Sequence, residues 1–224
     1  MVHFLSIVTQ IALCSALCSF TQVCTDNVCQ VPTPIDPPIP ASMQTFTPPF
    51  MCPEFADQEV CCNESQNSQL VTKFMLVDYT FGGKGAGGCD ACGANLKRLW
   101  CYFTCSPNQD VFITAGNQTQ VLDPMASTPT LVTVLPLNFT VTEGYACELY
   151  NSCKKCPYAQ AVSAMQSSHG FLQFQGANSV EMGAVFITFY FVNSGPSLSL
   201  DTASCASQAS ELFGFPTKPC SCNK

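Results

Sequence analysis

Cysteine is the residue type that most constrains this chain, because 17 of its 224 residues are cysteines and they are spread over the whole length. In an exported protein, this density is typical of a domain held together by disulfides. The alternative is zinc, since Cys89-x-x-Cys92 followed by Cys101 and Cys105 suits a four-thiolate site. An oxidising compartment disfavours zinc, so the sequence predicts a disulfide framework and no metal.

The N-terminus has the anatomy of a signal peptide. Residues 4–17 form an apolar run that small residues follow, and the run is shorter than the ~20 residues that span a bilayer. We therefore predict a signal peptide over residues 1–19 and one domain over residues 20–224, placed outside the cell or in the endosomal or lysosomal lumen. Loss of Cys14 and Cys18 with the signal leaves 17 − 2 = 15 cysteines, so at least one thiol is expected to lack a partner within the chain.

Composition excludes several classes of partner. Charged residues make up only 10% of the chain and the net charge is -7, which argues against nucleic acid and against anionic membrane surfaces. The most apolar later stretch, residues 184–192, is too short to span a bilayer, so no transmembrane segment is expected apart from the signal.

The 17 phenylalanines indicate a rich core or an apolar cavity. Three sequons, at Asn63, Asn117 and Asn138, are candidate glycosylation sites on a surface.

Hydrophobic periodicity predicts helices at four places. Cys62, Gln66, Leu70 and Phe74 form one stripe of a helix over residues 61–77, and residues 89–105 form a second helix with Cys101 and Cys105 opposite its apolar face. A third helix spans residues 142–153 with Thr142 as N-cap, and a fourth spans 159–175 with a break near His169.

The remaining pattern predicts strands and extended segments. Residues 131–141 are β-rich but interrupted by Pro136, and residues 185–192 are apolar on both faces, which predicts a strand covered on both sides. The proline-dense residues 30–50 should be extended. Together these elements predict an α+β fold, with helices packed on a small mixed sheet and tied by disulfides.

No catalytic constellation stands out. His169 is the single histidine of the predicted domain, and no Gly-x-Ser-x-Gly elbow accompanies it. Paired-carboxylate catalysis stays open at this level. We interpret the chain as a non-enzyme without a cofactor.

Several segments in fixed order resemble the N-terminal luminal domain of Niemann–Pick type C1 proteins, the sterol-binding domain of those membrane transporters. The sharpest match is Phe103-Thr104-Cys105-Ser106-Pro107, which follows Cys89-Asp90-Ala91-Cys92. The other matching segments are Cys52-Pro53-Glu54-Phe55, Cys61-Cys62-Asn63, Tyr150-Asn151-Ser152-Cys153, Phe171-Leu172-Gln173-Phe174, Phe186-Ile187-Thr188 and Pro219-Cys220-Ser221-Cys222.

The resemblance implies a deep apolar pocket that buries one sterol, and a soluble sterol carrier of the Niemann–Pick type C2 kind as a possible partner. It also implies the disulfides Cys24–Cys61, Cys52–Cys101, Cys62–Cys105, Cys89–Cys220 and Cys92–Cys153. For the remaining cysteines we predict Cys205–Cys222 and Cys147–Cys156, with Cys29 unpaired.

The resemblance also implies a set of ligand-binding residues. Gln66 matches a position that holds the sterol hydroxyl, and its stripe places it beside Leu70 and Phe74. The positions that match the pocket lining are Trp100, Phe103, Phe186 and Thr188. Without the resemblance, Gln66 is an ordinary solvated glutamine and the others are core residues.

Two departures from the family pattern bear on the ligand. The family's second hydroxyl-binding residue, an asparagine beside a cysteine, has no counterpart in residues 30–40. Family members also continue into a multi-span transporter, whereas this chain stops at Lys224.

We therefore expect a secreted or luminal sterol-binding domain that transfers or sequesters a lipid such as cholesterol. The alternatives are a secreted binder of another small molecule, similar to folate and riboflavin receptors, and a disulfide-rich interaction module with no buried ligand.

Overall fold

The computed structural model describes residues 17–21, 24–25, 28–29, 38–41, 44–47, 49–83, 88–122, 127–177, 185–203, 211–212 and 215–216. Within these ranges, no helix has both the length and the apolar character that crossing a bilayer requires. Residues 1–16 of the predicted signal peptide and about half of the proline-rich segment lie outside the described residues.

A mixed sheet is built around one long strand, β7 (Leu131–Thr142). Two short strands, β5 (Ile113–Ala115) and β6 (Thr119–Leu122), pair with it antiparallel along one edge. Strand β8 (Val185–Val192) pairs with it parallel along the other edge. The predicted class, helices on a small mixed sheet, is confirmed.

Pro136 does not interrupt β7, contrary to the prediction. It lies in the parallel ladder opposite Phe186. On its other side, its carbonyl oxygen accepts a 2.9 Å hydrogen bond from the Gly116 amide, at the point where β5 gives way to β6. The missing proline N–H therefore faces a gap between two antiparallel partners and costs the sheet little.

Helices α1 (Glu64–Thr80) and α2 (Asp90–Cys105) pack against each other. The bounds of α2 agree with the prediction, whereas α1 begins three residues later than predicted because Asn63 caps it. Gly93 lets α2 approach the loop after α1: a Cβ there would lie 2.9 Å from the Gly82 Cα. A side chain at position 93 would therefore push the two segments apart.

The chain crosses from β7 to β8 through three helices, α3 (Glu143–Cys153), α4 (Pro157–Ala161) and α5 (Ser168–Ala177). Thr142 caps α3 as predicted, its Oγ1 accepting from the Tyr145 amide at 3.2 Å. The predicted break near His169 is wrong, because the break lies before Ser168 and His169 belongs to α5. The Ser167 hydroxyl starts α5 by accepting from the Gly170 amide at 3.0 Å.

Short elements complete the fold. The sheet pairs are β1 (Cys24–Thr25) with β2 (Val28–Cys29), β3 (Ile39–Pro40) with β4 (Glu59–Val60), and β9 (Glu211–Leu212) with β10 (Phe215–Pro216). In the first pair, the ladder register opposes Cys24 and Cys29. Short 3₁₀ turns lie at Pro53–Phe55, Gln109–Val111 and Ser163–Met165.

Three of the disulfides implied by the resemblance are present in the described residues: Cys52–Cys101, Cys62–Cys105 and Cys92–Cys153. Cys101 and Cys105 thus tie α2 to two different segments, as their one-turn spacing suggests. Cys89 is also disulfide-bonded, but its predicted partner Cys220 and the predicted Cys205–Cys222 pair lie outside the described residues.

Two predicted pairs are wrong. Cys147 is an exposed free thiol 3.8 Å from the Ser168 hydroxyl, whereas Cys156 is buried with its sulfur 3.8 Å from the Phe81 carbonyl oxygen, so these cysteines do not bond to each other. Cys61 pairs with Cys18 rather than with Cys24.

The Cys18–Cys61 bridge also changes the start of the folded domain. Cys18, Ser19 and Phe20 are buried, and the Ser19 hydroxyl donates to the Ile113 carbonyl oxygen at 2.6 Å. A chain cut after residue 19 would lose this bridge and this contact. The folded domain therefore begins by Leu17, and a signal peptide, which remains a prediction, would have to end before it.

Candidate ligand-binding site

Gln66 is buried at the first turn of α1 and only half of its amide is used. Its Oε1 accepts from the Asn63 amide at 3.0 Å, and the Asn63 side chain accepts in turn from the Gln66 amide at 3.0 Å. This reciprocal capping box fixes which end of the amide points back to the backbone. The other end, Nε2, is buried without a hydrogen-bond partner, and the side chain is only 2% exposed.

An unpaired buried donor costs about 1–3 kcal/mol unless something accepts from it. Gln66 Nε2 is therefore a buried donor whose hydrogen-bonding capacity is unused by the described residues. Leu70 and Phe74 follow on the same buried stripe of α1, so the donor has apolar neighbours along its helix. The predicted arrangement of one polar head beside apolar side chains is present on α1.

Trp100 faces this helix from α2. It is 1% exposed, and its indole Nε1 is a second buried donor without a partner. Lys73 of α1 places its ammonium 3.2 Å from the centroid of the Trp100 ring, within the range of a cation–π contact. Sequence reasoning missed Lys73, although its position seven residues after Gln66 puts it on the same side of α1.

Burial lowers the pKa of Lys73 to about 7, because the ammonium loses hydration. Within the part of the chain that the structure describes, no carboxylate forms an ion pair with it. Asp78, five residues further along α1, instead pairs with Lys97. The α1–α2 seam thus combines three unmatched donor groups, on Gln66, Lys73 and Trp100.

Phe103 behaves as a core residue. Its ring centroid lies 5.3 Å from that of Phe20, 5.5 Å from that of Trp100 and 5.4 Å from that of Phe139. Rings therefore surround it and connect α2 to β7. Phe20 was also missed as a neighbour of the site, because the predicted signal boundary lay directly before it.

Phe186 and Thr188 lie apart from the other predicted site residues. The alternation of β8 buries Ile187 and Phe189 under α5, and leaves Phe186 39% exposed on the opposite face with Thr188 partly exposed. Phe139, which connects to Phe103, lies opposite Phe189 on the covered face. The prediction that both faces of this strand are covered is therefore wrong.

Two further amides anchor the segment before α1. Asn67, completely buried, accepts from the Met51 amide at 2.8 Å and donates to the Pro49 carbonyl oxygen at 3.4 Å. Gln44 donates to the Cys62 carbonyl oxygen at 3.1 Å, so it is an amide from the proline-rich stretch that reaches the start of α1. The sequence around Gln44 contains no family motif, so this contact could not be predicted from the sequence.

The candidate glycosylation sites differ in exposure. Asn117 and Asn138 are exposed, on the turn before β6 and on the open face of β7, whereas Asn63 is partly buried and uses its oxygen to cap α1. Within the described ranges, no group of three or more metal-ligating side chains is present.

Comparison of the whole sequence with known protein families gives a match. Residues 14–224 match the family described as the Niemann-Pick C1 N terminus. The match covers nearly the whole chain, and the chain belongs to this family. The membership bears out the resemblance, and it also bears out the interpretation of the chain as a non-enzyme.

Curated relatives have low identity but cover much of the chain. The chain is 26% identical over 67% of its length to NPC intracellular cholesterol transporter 1 homolog 1 of Caenorhabditis elegans. It is 28% identical over 54% of its length to NPC intracellular cholesterol transporter 1 of Sus scrofa, and 25% identical over 77% to NPC1-like intracellular cholesterol transporter 1 of Homo sapiens. The matched regions are 11%, 9% and 13% of those proteins, so the chain corresponds to about a tenth of each relative.

Proposed function

We propose that this chain binds one sterol or related lipid at the α1–α2 seam, in a lumen or outside the cell, and holds it for transfer or sequestration. The observation that carries this proposal is Gln66: a side chain 2% exposed, whose oxygen is committed to the capping box and whose Nε2 has no partner. The names of the relatives, which are cholesterol transporters, support a sterol as the ligand.

The chemistry of the seam suits such a ligand. A sterol hydroxyl can accept from Gln66 Nε2, and the apolar rings can lie along side chains such as Leu70 and Phe74. Burial of the ring system would supply most of the affinity at about 25 cal/mol per Å² of apolar surface, and the hydrogen bond would set the orientation. Exchange of the lipid with a soluble carrier of the Niemann–Pick type C2 kind is part of this proposal.

Gln66→Ala tests the assignment. We expect equilibrium binding of a labelled sterol to weaken by roughly 5–150-fold, corresponding to the ~1–3 kcal/mol of one buried hydrogen bond. Because this variant also breaks the capping box, Asn63→Ala is the matched control: it removes the cap and leaves Gln66 Nε2 in place. The control should lower the melting temperature without weakening binding.

Unchanged affinity in Gln66→Ala would remove Gln66 from the site. Mass spectrometry of the small molecules extracted from the native protein separates the ligand classes. A sterol or another apolar lipid supports the proposal, whereas a pterin or a flavin would replace it with the alternative of a folate- or riboflavin-type binder.

A further inference from the structure

Lys73 is the least expected residue of the α1–α2 seam. Its ammonium covers one face of the Trp100 ring at 3.2 Å, yet within the described part of the chain it has no hydrogen-bond acceptor or carboxylate partner. A cation–π contact stabilises a lysine but supplies no lone pair to the N–H groups of its ammonium. A partly buried ammonium without a counter-ion is costly to the folded protein.

The unmatched atoms at this seam are all donors. Gln66 Nε2 and Trp100 Nε1 are buried without partners, and Lys73 adds an ammonium that can donate three hydrogen bonds. One hydroxyl cannot satisfy this set, since it has two lone pairs and brings a donor of its own. A carboxylate or a sulfate accepts several hydrogen bonds, brings no donor and carries the missing negative charge.

The unmatched donors of the seam fall into two positions along α1, one at Gln66 and one at Lys73. Lys73 lies seven residues after Gln66, a rise of about 10 Å along the helix axis. The indole of Trp100 is in contact with Lys73, so the ammonium and Trp100 Nε1 belong to the second position. A ligand that satisfies both positions carries two polar groups at separate points on one apolar body.

We infer that the lipid held at this seam carries an acidic oxygen group, a carboxylate or a sulfate, which Lys73 and Trp100 Nε1 bind at a point distinct from the group held by Gln66. This inference rests on the proposed lipid-binding function and specifies its ligand class. The lowered pKa of Lys73, about 7, agrees with a site that lacks its counter-ion.

The test compares three sterols on the full chain: cholesterol, cholesterol sulfate and 3β-hydroxy-5-cholenoic acid. Cholesterol has no acidic group, cholesterol sulfate carries its acid at the ring end, and the cholenoic acid carries a carboxylate on its side chain and keeps the hydroxyl. Each competes with a labelled sterol at a pH of about 6, where the Lys73 ammonium is protonated. We expect the cholenoic acid to bind at least ten-fold more tightly than cholesterol.

Lys73→Met removes the charge at nearly the same volume and should abolish this preference while cholesterol still binds. Lys73→Arg keeps the charge and should retain the preference, which separates charge recognition from a loss of folding. The matched control is Lys155→Met, which removes an exposed lysine.

Each outcome bears on a different claim. Tighter binding of cholesterol sulfate than of the cholenoic acid would keep an anionic ligand but move the acid to the hydroxyl position, which overturns the two-point arrangement. Equal binding of all three sterols to the wild type, or a preference that persists in Lys73→Met, would overturn the inference and leave sterol binding intact. Binding of none of the three would contradict the proposed function itself.

Discussion

Two buried amides on neighbouring helices show how similar side chains can serve different ends. Gln66 of α1 and Asn95 of α2 are each 2% exposed. Asn95 Nδ2 donates to the Ser152 hydroxyl at 3.0 Å and to the Ala203 carbonyl oxygen at 2.8 Å, and its Oδ1 accepts from the Ala203 amide at 2.9 Å. Gln66 uses its oxygen and leaves its nitrogen unpaired.

The two amides differ in whether they have a hydrogen bond left to offer a ligand. A fully paired amide such as Asn95 ties segments together, here α2, α3 and the chain near Ala203, and leaves nothing for a ligand to bind. An amide that is paired at one end only is held in a fixed orientation and still has a hydrogen bond to give. The α1–α2 seam has such an amide in Gln66 and a second unpaired buried donor in Trp100 Nε1, whereas both ends of the Asn95 amide are paired.

Two other unpaired polar atoms, Glu54 Oε2 and the Tyr145 hydroxyl, lie outside the seam. Burial raises the pKa of Tyr145, and the charges of Arg98 and Glu54 act on it in opposite directions. Arg98 binds both Glu54 and the Asp201 carbonyl oxygen, so this cluster connects α2 to the segment before α1 and to the segment that follows β8. Its unmatched atoms are one acceptor and one donor, unlike the donors of the seam.

The largest change in stability is expected when the fully paired amide of Asn95 is removed. Asn95→Ala leaves both backbone groups of Ala203 without their partner and should lower the free energy of unfolding by about 3 kcal/mol, as measured by urea denaturation. Asn151→Ala, which removes an exposed amide bonded only to Lys154, is the control and should change stability by less than about 0.5 kcal/mol. If Asn95→Ala lowered the free energy of unfolding by less than about 1 kcal/mol, the proposed difference between a structural Asn95 and Gln66 would be contradicted.

A smaller change in stability, of opposite sign, is expected for a substitution at the α1–α2 seam. Lys73→Met should stabilise the ligand-free protein, because it removes an ammonium whose burial is not offset by a counter-ion. The pKa of Lys73 falls from 10.5 in the unfolded chain to about 7 in the folded protein. Between these two values the unfolded state binds the extra proton, so the stability of the wild type rises with pH through this window.

The gain from Lys73→Met should therefore be larger at pH 5.5 than at pH 9, by about 2–3 kcal/mol, because about two pH units of this window lie between the folded pKa and pH 9. Thermal unfolding of both proteins at the two pH values measures the difference. A gain that does not depend on pH, or a loss of stability at pH 5.5, would mean that the ammonium is compensated in the folded protein.

The smallest effect is expected on the open face of the sheet. Asn138 is exposed on β7 opposite Thr188, on the face of the sheet away from α5. We expect Asn138→Gln to remove one N-linked glycan without changing sterol affinity or the melting temperature measurably. Peptide mapping after secretion checks the glycan, and weakened binding would show that this face takes part in the site.

Much of the fold could be predicted from local signals. The stripe of α1, the one-turn spacing of Cys101 and Cys105, and the Thr142 cap each depend on residues a few positions apart, and each is present as predicted. The break predicted near His169 lies before Ser168 instead. The local signal was Ser167, whose hydroxyl caps the first turn.

The errors at longer range have a different cause. Cys18 was assigned to the signal peptide because apolar patterning cannot distinguish the end of a leader from the start of a buried segment. The exposure of Phe186 could not be predicted either, because strand periodicity does not show whether a second layer covers the outer face of the sheet. The family motif predicts Gln66 as a ligand-binding residue, whereas its unpaired Nε2 and the contact of Lys73 with Trp100 depend on the packing of two helices.

Photo-crosslinking of a photoreactive cholesterol to the purified chain, followed by mapping of the labelled peptides, locates the bound sterol directly. We expect adducts on α1 (Glu64–Thr80) and α2 (Asp90–Cys105) that excess unlabelled sterol displaces and that Gln66→Ala reduces. Displaceable adducts on the outer face of β8, around Phe186 and Thr188, would contradict the placement of the site at the α1–α2 seam. The absence of any displaceable adduct would contradict the binding of a sterol.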